Sequence, residues 1–199
     1  IDTFLRQEEY IGNPTSDSVG IYIGIPFCPT RCSYCSFTSN QVEAKEIERY
    51  IIALNKEIKF VSESMKIKKL YPESIYIGGG TPSTLSIENL NKLFEIIKIF
   101  KKDNLKEFTF EMNVDDITEE KLSLLKRNGV NRISIGVQSF NKYNLKYLNR
   151  KHTKREIISN VNLVKKYFTN INVDLMYALP IENFSILKSD VKEYLKLNI

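Results

Sequence analysis

Long apolar runs are missing from this sequence. No segment approaches the ~18 consecutive apolar residues of a membrane-spanning helix, so no membrane span is predicted. The first six residues lack the basic-then-apolar layout of a secretory signal peptide. They also lack an initiator Met. We therefore expect the chain to be a fragment or an excised domain.

Cysteine is scarce, and its placement is informative. The chain has three cysteines in 199 residues, and they stand at positions 28, 32 and 35. An odd number at such tight spacing does not build a disulfide framework. We therefore expect a reducing, cytoplasmic location and a metal-binding role.

Dense runs of one charge are also missing. The net charge of +5 comes from 29 basic and 24 acidic residues, and the densest basic segments are residues 66–69 and 101–102. A solvated surface explains this pattern better than a nucleic-acid patch, so no nucleic-acid partner is predicted. Hydrophobic residues make up 42% and charged residues 27%, which excludes disordered and fibrous classes.

Apolar periodicity predicts alternating strands and helices. Strands are expected at 19–25, 74–77, 108–111, 131–137 and 171–176, and helices at 42–65, 87–100, 118–129, 154–168 and 185–197. The first helix carries an apolar residue every three or four positions, from Ile47 to Met65. The strand at 19–25 is almost continuously apolar, which predicts burial on both faces.

Five successive strand–helix units predict a parallel α/β sheet with right-handed crossovers. A doubly wound open sheet and a complete or partial β/α barrel both fit this order. In either architecture, chemistry gathers at the carboxyl ends of the strands. The candidate residues stand at such ends: Cys28, the glycines at 78–80, Glu111, Gln138 and Asp174. Residues 1–18 are expected to form a flexible lead-in.

The cysteines form a C-x3-C-x2-C motif directly after the first predicted strand. Three thiolates on one short loop can hold three irons of a [4Fe–4S] cluster and leave the fourth iron open. The alternatives are a zinc site with a distant fourth ligand, or cysteines without a metal. The single histidine, His152, lies far along the chain.

Other polar positions at strand ends carry weaker signals. The glycines at 78–80 would let the backbone approach a ligand, although an ordinary tight turn fits as well. They do not form a phosphate loop, because the required Lys-Ser/Thr ending is missing. Glu111 would need a cationic or hydroxyl partner if it is buried. Arg150 could bind a carboxylate through both guanidinium nitrogens, or lie on the surface.

Five stretches resemble the oxygen-independent coproporphyrinogen III oxidase family of radical S-adenosylmethionine (SAM) proteins. The first contains Tyr22, Pro26, Phe27 and the three cysteines, and the second is the Gly-Gly-Gly-Thr-Pro-Ser sequence at 78–83. The others lie at 131–140, 149–153 and 172–180. This family includes a haem-chaperone branch called HemW and a branch called HemZ.

The resemblance implies a partial β/α barrel of the radical SAM type, with its core at 19–199. It also implies roles for single residues. The ligands of the [4Fe–4S] cluster would be Cys28, Cys32 and Cys35. A SAM molecule on the open iron would contact Tyr22, Gly79 and Glu111. A second SAM molecule would contact Tyr34, Gly80, Thr81, Gln138, Arg150 and Asp174.

The resemblance further implies a 5′-deoxyadenosyl radical that removes hydrogen from a substrate. In the oxidase branch this step leads to oxidative decarboxylation of propionate side chains. The expected partners are a porphyrinogen or haem, and a reducing electron donor such as flavodoxin or ferredoxin. A haem chaperone of the HemW type and a radical SAM methyltransferase are the alternatives.

Several positions depart from the family pattern. Gly24 stands where most relatives have His, and Ser36-Phe37 stands where true oxidases place another Cys. This form resembles the HemW and HemZ branches instead. Asn149 and Ala178 each replace a glycine, and Ala178 would be strained if its backbone needs a positive φ. The chain ends about where relatives begin a sixth strand, so we expect a carboxyl-terminal domain to be missing.

Overall fold

The computed structural model describes residues 17–36, 40–41, 43–100 and 105–199. The predicted lead-in at 1–18 lies outside the described residues except for its last two positions. Ser18 already belongs to the first strand, so the sheet begins one residue earlier than predicted.

A single parallel sheet forms the centre of the fold, in the order β1-β2-β3-β4-β5. Its strands are β1 (Ser18–Ile25), β2 (Tyr71–Gly79), β3 (Glu107–Asn113), β4 (Arg132–Gln138) and β5 (Asn170–Leu175). Because each strand pairs with the next one in the chain, the sheet curves as a partial barrel rather than a doubly wound sheet. The predicted fold class is confirmed.

Six α-helices belong to the described part of the chain. They are α1 (Ala44–Ile67), α2 (Ile87–Ile97), α3 (Glu119–Arg127), α4 (Lys142–Tyr147), α5 (Lys154–Lys165) and α6 (Phe184–Leu197). Short 3-10 turns follow β2 at Pro82–Thr84 and β3 at Val114–Asp116. Within the described residues, no helix is long and apolar enough to cross a membrane.

Polar side chains cap the first turns of α3 and α5. The Thr118 hydroxyl accepts the backbone N–H of Lys121 at the start of α3. At the start of α5, Thr153 and Glu156 form a reciprocal capping box. Gly129 follows α3 with φ +85°, a conformation that favours glycine. Thr118 and Gly129 thus stand at the two ends of α3, and Thr153 stands at the start of α5.

The strands carry one apolar and one polar face. Paired positions in a parallel sheet share a face, so Ile23, Ile77, Phe110, Ile133 and Ile171 form one row under the helices. The neighbouring row, on the concave face, contains Tyr22, Tyr76, Thr109 and Arg132. The helices cover only the convex face, which is where the apolar core lies.

The predicted burial of the first strand on both faces is wrong. Tyr22 in the middle of β1 is 60% exposed, whereas its neighbour Ile23 is 3% exposed. Five strands do not close a barrel, so the concave side of the edge strand β1 faces solvent. The apolar composition of β1 therefore reflects only the packing of Ile21, Ile23 and Ile25 on the convex side.

Candidate functional site

A cavity opens at the carboxyl ends of the strands, where a parallel β/α fold places its site. It encloses about 840 Å³, counting the part that is open to solvent. Its walls include every predicted site residue except Tyr22: Cys28, Cys32, Tyr34, Cys35, Gly79, Gly80, Thr81, Glu111, Gln138, Arg150 and Asp174. The carboxyl-terminal ends of β2, β3, β4 and β5 and the loop that follows β1 therefore meet at one place.

The three cysteines lie on the loop after β1 and are free and half-buried. Cys28 Sγ lies 3.3 Å from the hydroxyl of Thr81, just beyond the glycine turn. Burial raises the pKa of the Cys28 thiol, and the nearby Arg150 guanidinium opposes that shift. Cys28 is thus the thiol that lies against the glycine turn.

The arrangement does not support a simple zinc site. The described residues contain no group of three or more His, Cys, Asp or Glu side chains that could hold a metal ion. The ring of His152 is buried between Asp115, at 3.4 Å, and the carbonyl of Val137, at 3.4 Å. In a [4Fe–4S] cluster each cysteine ligates a different iron, so the thiolates need not converge on one metal atom.

The glycine turn is built against the cysteine loop. The N–H of Gly80 donates to the carbonyl of Ile25 at 2.7 Å, and the N–H of Thr81 donates to the carbonyl of Phe27 at 2.8 Å. A Cβ on Gly80 would lie 2.7 Å from the Phe27 carbonyl oxygen. The close approach of the protein's own backbone therefore requires a glycine at position 80.

The opposite side of the cysteine loop is fastened to α4. The Ser33 hydroxyl donates to the Tyr147 carbonyl at 2.7 Å, and the Asn149 side chain donates to the Arg31 carbonyl at 2.7 Å. Asn149 has φ +57°, so the residue that replaces a glycine keeps the left-handed backbone and adds a tether. The sequence analysis did not identify this role for Ser33 or Asn149.

Glu111 ends β3 with its carboxylate inside the cavity. Its oxygens accept the Tyr76 hydroxyl at 2.6 Å and the Gly79 N–H at 3.2 Å. Burial raises the pKa of the Glu111 carboxyl, and the charge of Asp174 raises it further. Gly78 leaves the space for this carboxylate, because a Cβ there would lie 2.7 Å from Glu111 Oε2. The described contacts thus give Glu111 hydrogen-bond donors but no cation.

Tyr22 is the predicted residue that the structure does not bring into the cavity wall. Its ring stacks on Tyr76 with 5.8 Å between the ring centroids. The Tyr76 hydroxyl in turn donates to Glu111. Tyr22, on the open concave face of β1, is therefore connected to the Glu111 carboxylate only through Tyr76. Tyr76 was not identified from the sequence, although its place two residues before Gly78 puts it on the same face of β2.

Arg150 joins the cysteine loop to the strand ends. Its guanidinium donates to Asn113 Oδ1 at 3.0 Å and to the Tyr34 hydroxyl at 2.9 Å. Its Nε is buried without a hydrogen-bond partner. Gly136 makes room for it, because a Cβ there would lie 3.3 Å from Arg150 Nη2 and 3.0 Å from Gln138 Nε2. A half-buried guanidinium in the cavity wall can bind an anionic group through its charge.

The remaining two predicted residues differ in their surroundings. Gln138 is 9% exposed and has φ +71°, which is a strained conformation for a side chain other than Gly or Asn. Asp174 is exposed and accepts the side-chain amide of Asn172 at 2.7 Å. The left-handed backbone at Gln138 ends β4, and its side chain lines the cavity.

Comparison with known proteins agrees with this geometry. The profile of the Radical SAM superfamily matches residues 22–193. The chain belongs to the radical SAM superfamily. It is 41% identical over 180 residues to the haem chaperone HemW of Lactococcus lactis, which covers 89% of this chain and 46% of that protein.

Two further radical SAM proteins are similar to this chain, one in sequence and one in structure. The Bacillus subtilis oxygen-independent coproporphyrinogen-III oxidase-like protein HemZ is 37% identical over 91% of this chain and 37% of its own length. The coproporphyrinogen III oxidase HemN of Escherichia coli has a TM-score of 0.82 and 26% identity, covering 100% of this chain and 45% of that one. The chain therefore spans less than half of each relative.

Radical SAM proteins use a [4Fe–4S] cluster and SAM as cofactors. The residues present fit both groups. Three free thiols line one cavity, which matches the three ligands of a cluster with an open iron. Glu111 offers a carboxylate without a cationic partner among the described contacts, which suits the positively charged methionine end of SAM. The three thiols and the Glu111 carboxylate of this chain are therefore the groups that fit the two cofactors.

Ala178 provides a test of backbone strain in this radical SAM chain. It has φ +60°, where a Cβ costs about 1 kcal/mol, and its N–H donates to Glu182 Oε2 at 2.7 Å. Ala178→Gly should therefore raise the free energy of unfolding by about 1 kcal/mol, measured in urea. Gly24→Ala is the reverse control at a position without positive φ. Equal or lower stability of Ala178→Gly would contradict the strain.

Proposed function

We propose that this chain forms the cofactor-binding core of a radical SAM protein of haem or porphyrin metabolism. One observation carries the proposal: three free thiols, the glycine turn, Glu111 and Arg150 line a single cavity. The likeness to HemW, HemZ and HemN proteins over most of the chain supports the haem or porphyrin connection. A reducing location in the cytoplasm is part of the same proposal.

Each residue has a defined task in this proposal. Cys28, Cys32 and Cys35 ligate the cluster through their thiolates. The Glu111 carboxylate, held by Tyr76 and the Gly79 N–H, binds the cationic end of SAM, and Tyr22 supports Tyr76 from the open side. When bound, the reduced cluster and SAM supply a 5′-deoxyadenosyl radical that removes hydrogen from a C–H bond.

A second group of residues extends the cavity beyond the first SAM position. Arg150 lines the cavity and offers its guanidinium charge to an anionic group, and Asn113 and Tyr34 hold the guanidinium in place. We propose that the further members of this wall contact a second SAM molecule or the substrate: Tyr34, Gly80, Thr81, Gln138 and Asp174. Their shared position on one wall supports a common ligand.

Two functions are candidates for this chain. A haem chaperone is favoured by the 41% identity to a protein of that name and by Ser36-Phe37 in place of a fourth cysteine. Coproporphyrinogen oxidation is the second candidate, supported by the TM-score of 0.82 to the Escherichia coli oxidase. We propose the haem chaperone first, because its relatives share more of the sequence.

Anaerobic reconstitution with iron and sulfide tests the shared part of the proposal. The protein should turn brown and hold about four irons and four sulfides per chain. Dithionite and SAM should then yield 5′-deoxyadenosine. A variant with all three cysteines replaced by alanine should bind no cluster, and a colourless wild-type protein that holds zinc would overturn the proposal.

Assays with haem and with coproporphyrinogen III separate the two candidates. Stoichiometric haem binding without loss of CO2 from coproporphyrinogen III supports the chaperone. Release of CO2 with formation of vinyl groups supports the oxidase. Transfer of a labelled methyl group from SAM to a substrate would contradict both and indicate a methyltransferase.

A further inference from the structure

Gln138 lies at the centre of a strained turn. The Ser139 N–H donates to the Val137 carbonyl at 3.0 Å, which closes a three-residue γ-turn about Gln138. Gln138 has φ +71°, and a γ-turn with a positive φ at its central residue is rare and strained. The register between β4 and β5 shifts at the same place. Such a conformation persists only where the surrounding structure holds it.

The side chain that leaves this turn lines the cavity. Gln138 is 9% exposed, and its amide nitrogen lies close to Gly136, where a Cβ would approach Nε2 to 3.0 Å. The same Cβ would lie 3.3 Å from Arg150 Nη2, so the amide and the guanidinium are neighbours. Among the described residues, none forms a hydrogen bond with the Gln138 side chain. Its donor and acceptor groups are therefore available to a ligand.

Asp190 of α6 contacts the chain directly after the turn. Its carboxylate accepts the Ser139 hydroxyl and, at 3.1 Å, the Phe140 N–H. Asp190 is 3% exposed, and none of the ion pairs among the described residues includes it. Burial raises the pKa of the Asp190 carboxyl, and the two hydrogen bonds oppose that shift. A buried carboxylate without a cation is costly to the fold, and what it contributes is this pair of hydrogen bonds.

We propose that Asp190 is a positioning residue for ligand binding, because it holds the turn that keeps the Gln138 amide in the cavity beside Arg150. This rests on the proposed function, in which Gln138 contacts SAM or the substrate. Asp190 is not among the described residues of the cavity wall, so it acts through the turn. The opposite side of the turn is held by Met176, whose N–H donates to the Gln138 carbonyl at 2.8 Å.

A purely structural role of Asp190 would act on α4 instead. The Ser139 hydroxyl oxygen also accepts the Asn141 N–H at 3.0 Å, and Asn141 caps the start of α4. Since α4 is fastened to the cysteine loop, loss of Asp190 would then lower the iron content of the reconstituted protein. In that case the Gln138 side chain would stay where it is.

Glu182 provides the matched control. Its carboxylate also accepts two hydrogen bonds, from the side-chain amide of Asn144 in α4 at 3.0 Å and from the Ala178 N–H at 2.7 Å. Neither bond involves the turn at Gln138. Glu182→Ala therefore removes a comparable pair of bonds to α4 and to the chain before α6, and leaves the contacts of Asp190 in place.

Selective labelling shows the Gln138 amide directly. The chain contains three glutamines, at positions 7, 41 and 138, so 15N-glutamine labelling of the full chain gives three side-chain amide pairs, and Gln138→Glu identifies one of them by its loss. Asp190→Ala should shift or broaden that pair, and Glu182→Ala should not. Asp190→Asn should also leave it in place, because the new amide can accept the Phe140 N–H and donate to the Ser139 hydroxyl oxygen. These NMR spectra need neither cluster nor SAM.

Binding of SAM and of haem to the reconstituted protein tests the consequence for a ligand. Gln138→Ala should weaken the binding of haem or of a second equivalent of SAM about threefold to tenfold, as expected for one neutral hydrogen bond. Asp190→Ala should weaken binding of the same probe about equally. The double variant should bind within about twofold of Gln138→Ala, because one residue acts through the other. Asp190→Asn and Glu182→Ala should bind as wild type does.

The remaining outcomes decide against the proposal. An unchanged Gln138 amide pair in Asp190→Ala would overturn it, and an equal shift in Glu182→Ala would assign the effect to α4. Additive losses in the double variant would show that Asp190 acts apart from Gln138. If Asp190→Ala does not fold, Ser139→Ala removes one of the two bonds and should shift the Gln138 amide pair less; no shift would refute the proposal.

Failure of the proposed function gives a different result. Wild-type binding of both probes by Gln138→Ala would contradict the role of this cavity wall in ligand binding. The NMR comparison of Asp190→Ala with Glu182→Ala would still show whether Asp190 positions Gln138.

Discussion

Gly80→Ala should destabilise the protein by about 2–3 kcal/mol and abolish cluster assembly. The added Cβ would lie 2.7 Å from the Phe27 carbonyl oxygen, 2.8 Å from the Ile25 carbonyl oxygen and 3.0 Å from the Phe27 nitrogen. All three atoms belong to the backbone, so no side chain can rotate away. The clash must push the glycine turn off the cysteine loop and stretch the 2.7 Å bond from the Gly80 N–H to Ile25.

Urea unfolding and iron content measure the two parts of this prediction. Gly24→Ala is the matched control, because its Cβ meets only the Tyr22 ring edge at 3.4 Å, an ordinary contact. The control should keep its cluster and lose less than about 1 kcal/mol. If Gly80→Ala assembles a full cluster with wild-type stability, the turn does not position the cysteine loop.

Glu111→Gln should weaken SAM binding about tenfold to a hundredfold, which corresponds to the loss of a charge-assisted hydrogen bond of about 1.5–3 kcal/mol. The amide keeps the shape of the side chain: its oxygen can accept the Gly79 N–H and its NH2 can donate to the Tyr76 hydroxyl oxygen, so the cavity should survive. Because Glu111 is buried beside Asp174 without a cation in its described contacts, the same change should leave unliganded stability unchanged or slightly higher.

Equilibrium SAM binding to the reconstituted protein measures the first effect, and thermal unfolding measures the second. Glu107→Gln is the matched control, because Glu107 stands on the same strand at the other end of β3, near Arg132 at 3.5 Å. It should not change SAM affinity. Wild-type SAM affinity in Glu111→Gln would refute the role of this carboxylate.

The pH dependence of binding follows from the raised pKa of Glu111. Burial, followed by the charge of Asp174, favours the protonated carboxyl in the folded protein. A raised carboxyl pKa stabilises the unliganded fold below the unfolded pKa, and this contribution is lost as the pH rises through the folded pKa. SAM needs the ionised form, so its affinity should fall as the pH drops through the folded pKa. Glu111→Gln should remove that dependence.

Much of the site could be predicted from the sequence because its residues follow strand ends. In a parallel sheet those ends meet at one edge, so Cys28, Gly79, Glu111, Gln138 and Asp174 had to lie near one another once the strands were recognised. The roles of Ser33 and Asn149 could not be predicted, because they depend on where α4 packs. The only signal was the replacement of a glycine before Arg150.

Strand burial was harder to predict than strand position. Ile21, Ile23 and Ile25 are apolar because the convex face packs on helices, and the sequence pattern correctly marks a strand there. The pattern does not tell whether Tyr22 lies inside a closed barrel or on an open edge. That depends on the number of strands that pair, and β1 has a partner on one side only among the described strands.

By itself, the amino-acid sequence determined the order of strands and helices and the three-thiol motif, because periodicity and spacing are local properties of the chain. Only the tertiary structure decided that Gly80 packs directly against the Phe27 and Ile25 carbonyls. The same holds for the hydrogen bond from Tyr76 to Glu111 and for the position of Tyr22 outside the cavity wall. Those facts depend on the register between strands whose paired residues lie 33 (Ser74 and Glu107) to 53 (Ser18 and Tyr71) positions apart in the chain, and register is set by packing across the sheet.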